Sequence, residues 1–121
     1  MARSPTTSDA FNAIAEPRRR ELLGVLAKGN PERDVSQLVE ELKWPQPQVS
    51  KHLGVLREVG LVRVVRRGKH RMYSINGDGL RTIYEWVKIF ERFWEHQLDR
   101  IKERAERMQR EKKTKDETGS T

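Results

Sequence analysis

Five cations fall within nine residues, Arg63, Arg66, Arg67, Lys69 and Arg71, with no carboxylate among them. Groups of this kind neutralise a polyanion such as a phosphate backbone. Just upstream, Gln46, Gln48, Ser50 and Lys51 supply amide, hydroxyl and ammonium groups within six residues. These hydrogen-bond to base edges: Gln suits adenine, Lys suits guanine, and Ser serves several bases or a phosphate. From Lys43 to Ile75 there are eight basic residues and one acid, Glu58, a net charge of +7. The whole 121-residue chain also carries +7, so its entire excess charge lies in about a quarter of its length. That confinement points to one polyanion-binding face.

Other chemistries lack their residues. The chain has no cysteine, which excludes disulfides and thiolate metal sites. His52, His70 and His96 fall on three different predicted elements, and there is no glycine-rich phosphate loop or nucleophile motif. The chain therefore reads as a non-enzyme with no metal and no cofactor. No apolar run approaches the ~18 residues of a membrane span, so no membrane partner is expected. Met1 to Ser8 has one Arg and no apolar stretch, unlike a secretory leader. The expected location is the cytoplasm, beside the nucleoid.

The elements that must position these groups follow from pattern. Residues 1–8 read as a disordered tail, and Ser8 or Asp9 caps a short helix carrying Phe11 and Ile14. Pro17 suits the first position of a second helix, which ends near Lys28 before Gly29, Asn30 and Pro31. Asp34 and Gln37 have capping-box spacing for a helix to Leu42. Trp44, Pro45 and Gln46 form a turn, and Pro47 opens a helix over 47–59 that Gly60 stops. Two short helices joined by such a turn form a helix-turn-helix. Placed on a wheel, Val49, Leu53 and Leu56 share the core side within about 40°, while Lys51 and Gly54 face outward. His52 sits about 60° from that stripe, which leaves both a partly buried role and a phosphate contact open.

Two β-branched runs follow, 61–67 and 70–75, joined by Gly68-Lys69 in a type II′ turn. That register pairs Val62 with Ile75, Val64 with Tyr73 and Val65 with Met72, each an apolar pair sharing a face. It also sets Arg66 against Arg71, an unfavourable opposition unless an anion such as phosphate lies between them. A long helix then runs from Gly77 to about Lys112, roughly 50 Å at 1.5 Å per residue. Leu80, Ile83, Tyr84, Val87, Phe90, Trp94, Leu98, Ile101, Ala105 and Met108 form one stripe, and Trp86, Ile89 and Phe93 widen it. An element apolar on two sides needs two partners: its own domain and a second chain. Five of the eight aromatics lie in this segment, where Trp86, Phe90, Phe93 and Trp94 alternatively line a pocket for an apolar ligand. The predicted fold class is mainly α with a β-hairpin (α+β), a winged helix-turn-helix with a long C-terminal dimerisation helix. Its parts are a tail (1–8), a DNA-binding and dimerisation domain (9–98), a charged helical extension (99–112) and a disordered tail (113–121).

AEPRRRELLGVL at 15–26, DVSQLVEEL at 34–42 and QPQVSKHLGVLREVGLVRVVRRGKHRMYSI at 46–75 together resemble the ArsR-type winged-helix repressors. With the following helix the resemblance spans roughly residues 9–100. It implies a homodimer built from the first and last helices that represses transcription from double-stranded DNA carrying a palindromic operator. Carried over, Gln46, Gln48, Ser50, Lys51 and His52 are the DNA-contacting helix positions, and Arg66, Arg67, Lys69, His70 and Arg71 form the wing. Phe11, Ile14, Trp86, Phe90, Phe93, Trp94, Leu98 and Ile101 are the interface candidates. Many relatives sense metals through a Cys-x-Val-Cys motif, where this chain reads SQLVEEL. Others use paired His and carboxylates on the last helix, where this chain has only His96 with Glu95 and Asp99. A small-molecule inducer is not legible. The competing reading is a winged-helix module that binds protein or double-stranded RNA.

Overall fold

The computed structural model describes residues 7–118. In chain order they form α1 (Thr7–Ala15), α2 (Pro17–Leu26), α3 (Val35–Leu42), α4 (Gln46–Glu58), β1 (Val62–Arg67), β2 (His70–Ile75), α5 (Gly77–Lys88) and α6 (Glu91–Thr118). The chain divides into two compact units, Met1–Tyr84 and Glu85–Thr121, and each is described by itself. No helix among the described residues is long and apolar enough to cross a membrane.

Local chemistry starts and stops the helices of the first unit. Glu16 caps α2 through Arg18 N–H at 3.4 Å, with Pro17 at the first helical position. Asp34 and Gln37 form the expected capping box, with Gln37 N–H donating to Asp34 Oδ1 at 2.8 Å and Asp34 N–H to Gln37 Oε1 at 2.9 Å. Lys43 closes α3 in the left-handed region, at φ 60°. Pro45 is the N-cap of α4, so this helix starts at Gln46, one residue before the expected Pro47. Thr7, Ser8 and Asp9 lie inside α1, so Ser8 and Asp9 do not cap it.

The core gathers Leu22 and Leu26 of α2, Leu38 of α3, Val49, Leu53 and Leu56 of α4, and Leu61, Val62 and Tyr73 at the hairpin. Burying a Leu-sized side chain contributes roughly 1.5–3 kcal/mol. The hairpin register is the predicted one, from Val62↔Ile75 to Arg67↔His70. Gly68 takes φ +62° while Lys69 stays out of the left-handed region, as a II′ turn requires. Alternation along the strand puts Val65 and Met72 on the face opposite Val62 and Val64, and Val65 is exposed.

A third extended residue completes the sheet edge. Arg33 pairs with Tyr73 through both backbone bonds, at 3.0 and 2.8 Å. Its side chain is buried and donates to the carbonyls of Val25, at 2.7 Å, and Lys28 at the end of α2. It also meets Glu41 of α3 at 3.0 Å. One guanidinium thus joins the end of α2 to α3, while its backbone joins β2.

In the second unit the expected continuous helix is interrupted. Ile89 and Phe90 form a turn between α5 and α6. There the bonds shorten to a three-residue step, with Ile89 N–H donating to Trp86 O at 3.2 Å and Phe90 N–H to Val87 O at 3.0 Å. No Pro or Gly marks the site, so the sequence pattern passed through it. The helix also continues past Lys112 to Thr118, through Lys and Glu, which are good helix formers. Residues 113–118 therefore do not follow the expected disordered tail. The rest of that tail, 119–121, and residues 1–6 of the N-terminal one lie outside the described residues.

The first unit closes at one tight junction. Gly60, at φ +81°, ends α4, and its carbonyl accepts from Asn76 Nδ2 at 2.8 Å. A Cβ on Gly79 would sit 1.9 Å from that same carbonyl oxygen, a backbone atom that cannot swing aside as the end of a side chain would. A Cβ on Gly77 would meet nothing within 4 Å. Gly79→Ala should therefore destabilise the fold by about 1–3 kcal/mol, whereas Gly77→Ala should stay within about 0.5 kcal/mol of wild type. Urea denaturation of the two variants checks the contrast; equal stabilities would refute the close approach.

Candidate nucleic-acid interface

The first turns of α4 present a graded set of side chains. Gln46, Ser50 and Lys51 are exposed, and Gly54 extends the same outward surface. Gln48 is half-buried, and its Oε1 accepts from Arg18 Nη1 of α2. The Arg18 guanidinium in turn lies 5.6 Å from the centre of the Trp44 ring, within the range of a cation–π contact.

His52 departs from the set implied by the resemblance. It is 7% exposed, turned inward with its ring edge-on to Trp44 at a centroid distance of 6.2 Å. Its Nδ1 is buried without a hydrogen-bond partner among the described residues. The wheel angle left two readings open, and the packing of Trp44 across the turn selects the buried one. Burial holds the His52 pKa below the ordinary 6.5, helped by Arg19, Lys51 and Arg18 and opposed by Glu16.

The hairpin side chains divide by face. Arg67 and His70, the pair that closes the turn, share one face: Arg67 makes a two-pronged bond to Glu32, at 2.7 and 2.8 Å, and His70 Nδ1 lies 3.2 Å from Asp34 Oδ2. The Arg67 bond lowers the Glu32 pKa and raises that of Arg67. Arg63 lies 3.6 Å from Asp78. Lys69 in the turn, and Arg66 and Arg71 on the opposite face one step behind the closing pair, remain exposed without an ion pair among the described residues, with Arg66 directly opposite Arg71. Two like charges in register without a counterion form a ready site for an anion.

Three residues outside the sequence-derived set prove important: Arg18, Glu32 and Arg33. The Arg-Arg-Arg run at 18–20 was the available signal. Arg19 donates to Ala13 O at 2.6 Å and Arg20 to Ile14 O at 2.7 Å, which caps the end of α1 and leaves Arg18 for Gln48.

The interface candidates lie in both units. Phe11 and Ile14 of α1 are half-buried in the first. In the second, Trp86 packs edge-on against Phe90 at 5.1 Å, and Phe93, Trp94, Leu98 and Ile101 are exposed along α6. Every residue of α6 whose exposure is described is exposed.

Comparison with known proteins agrees with this geometry. Residues 16–64 match the family described as bacterial regulatory protein, arsR family. The chain is 32% identical over 87 residues to an uncharacterised HTH-type transcriptional regulator of Methanocaldococcus jannaschii, covering 72% of this chain and 97% of that protein. It is 28% identical over 83 residues to the transcriptional repressor SdpR of Bacillus subtilis, covering 69% and 90% respectively. Among solved structures, the homodimeric winged helix-turn-helix DNA-binding domain from Mycobacterium bovis matches with a TM-score of 0.57 at 28% identity, covering 69% of this chain and 76% of that one.

The state of His52 gives a pH test. With its folded pKa lowered, the unfolded chain binds more protons at this residue once the pH drops below 6.5. Stability is full above that value and falls as the pH descends toward the folded pKa. Denaturation between about pH 7 and about pH 5.5 should show this loss in wild type and a flatter profile in His52→Gln. Matching profiles would mean that His52 is not buried in its neutral form.

Proposed function

Given that the chain belongs to the arsR family of bacterial regulatory proteins, we propose that this DNA-binding transcriptional regulator is a homodimeric repressor of a palindromic operator. In this reading α4 enters the major groove, and Gln46, Gln48, Ser50 and Lys51 approach the base edges. The hairpin is the wing. Arg66, Lys69 and Arg71 grip phosphate or enter the minor groove beyond the tip. Arg67 and His70, held by Glu32 and Asp34, set the wing's posture and join the contact only secondarily. His52 supports α4 from inside. The observation that carries the reading is the +7 charge confined to residues 43–75, exposed on the start of α4 and unpaired at the hairpin tip. A repressor of this kind works beside the nucleoid, in the cytoplasm.

The second copy covers the apolar side of α6. Scattered exposed hydrophobic residues are ordinary, but Trp94, Leu98, Ile101, Ala105 and Met108 recur at spacings of four, three, four and three residues. That is the seam of paired helices. Trp86, Phe90 and Phe93 widen it, and Phe11 and Ile14 of α1 are the interface candidates of the first unit. Dimerisation sets two α4 helices at the spacing of a two-fold operator, which converts two weak half-site contacts into one tight one.

Two variants separate the parts. Lys51→Ala should remain dimeric by light scattering and lose on the order of tenfold or more in affinity for duplexes that wild type selects from a randomised library. Trp94→Arg should yield folded monomers that bind those duplexes weakly. Undiminished binding by Lys51→Ala would put the reading surface elsewhere, and a dimeric Trp94→Arg would move the interface off this seam.

A further inference from the structure

Gln48 and Arg18 act as one unit, and this has a consequence for which base is read. A free glutamine recognises adenine with two bonds: its Oε1 accepts from the N6 amino group and its Nε2 donates to N7. Here Oε1 accepts from the Arg18 guanidinium. The arginine is held from two directions, by that bond and by the Trp44 ring at 5.6 Å. A carbonyl oxygen has a second lone pair. A base amino group brought to it would, however, set its own positive hydrogens beside a cation. What the pair offers the groove is donors: Nε2 of Gln48 and the N–H groups of Arg18 not already bonded. The guanine edge carries two acceptors, O6 and N7, and no donor in the major groove.

We infer that Arg18 is a positioning and specificity-determining residue, which turns Gln48 from an adenine reader into a guanine reader. The inference rests on the reading of α4 as the helix in the major groove. It also reassigns the chemistry that the sequence alone suggests for Gln48. Trp44 belongs to the same device: its ring holds the guanidinium from one side and also makes a T-shaped contact with the ring of buried His52. The turn of the helix-turn-helix therefore fixes the orientation of an amide on its second helix.

The test uses the full chain. Wild type, Gln48→Ala, Arg18→Met and Arg18→Lys each select duplexes from a randomised DNA library. Arg18→Met keeps an apolar stem for Trp44 and removes the donors; Arg18→Lys keeps a charged donor. Gln48→Ala should flatten preference at one base pair per half-site, which marks the pair that Gln48 faces. At that pair wild type should select guanine. Arg18→Met should shift selection toward adenine by on the order of tenfold, with other positions unchanged, and Arg18→Lys should retain guanine. An Arg18→Met protein that binds every duplex more weakly with the same preference would overturn the inference. Wild type that already selects adenine at that pair would overturn it too. Wild type that enriches no common sequence would instead overturn the reading of α4, a result visible without any Arg18 variant.

Discussion

The buried guanidinium of Arg33 is the constraint on which the first unit depends. A cation in the interior is costly unless every donor finds an acceptor. Here the carbonyls of Val25 and Lys28 and the carboxylate of Glu41 provide them. Both carbonyls lie where α2 runs out of intrahelical donors, Val25 O also accepting from Lys28 N–H at 3.1 Å, so Arg33 completes α2 and is itself neutralised by α3. Its backbone pairs twice with Tyr73, which fixes where the hairpin begins relative to the helices. Gly29, at φ +74°, passes so close that a Cβ would lie 2.8 Å from the guanidinium, so the turn after α2 is shaped around this side chain.

The neighbours of Arg33 extend its effect. In an extended segment successive side chains point to opposite faces. Arg33 points inward, and the flanking Glu32 and Asp34 reach Arg67 and His70 of the hairpin. Asp34 also caps α3. Three consecutive residues therefore join two helices, a sheet edge and the end of the wing beside its turn. The wing's two faces differ as a result: Arg67 and His70 on one face meet carboxylates, and Arg66, Arg71 and the turn's Lys69 do not. Unmatched charge at the tip of an anchored hairpin is suited to a phosphate backbone, since the anchor limits the entropy lost when the tip binds.

Features set by neighbouring residues were legible in the sequence. Pro17 at a helix start, the Asp34/Gln37 box, Gly68 in its turn and the hairpin register all follow from spacings of a few residues, and all are present. The outward placement of Lys51 and Gly54 followed from helical periodicity. Features that need two distant segments were not legible. Arg18 and Arg33 look like any surface arginine until Gln48 and Glu41 are brought beside them. His52 lay at an angle where periodicity could not choose, and the ring of Trp44 decided it. Val65 and Met72 were paired correctly, but on the face opposite the core pairs. The break at Ile89 and Phe90 has no local signature, because neither residue is a helix breaker.

In the proposed division of labour α4 reads sequence while the wing tip supplies sequence-independent grip. The most direct measurement is the salt dependence of binding to a selected duplex, for wild type and for a variant with Arg66, Lys69 and Arg71 all changed to Gln. Each phosphate contact contributes about 0.9 to the slope of log affinity against log salt. Six contacts in a dimer would make the variant's slope shallower by up to about 5, with the preferred sequence unchanged. An unchanged slope, or a changed sequence preference at an unchanged slope, would contradict that division of roles.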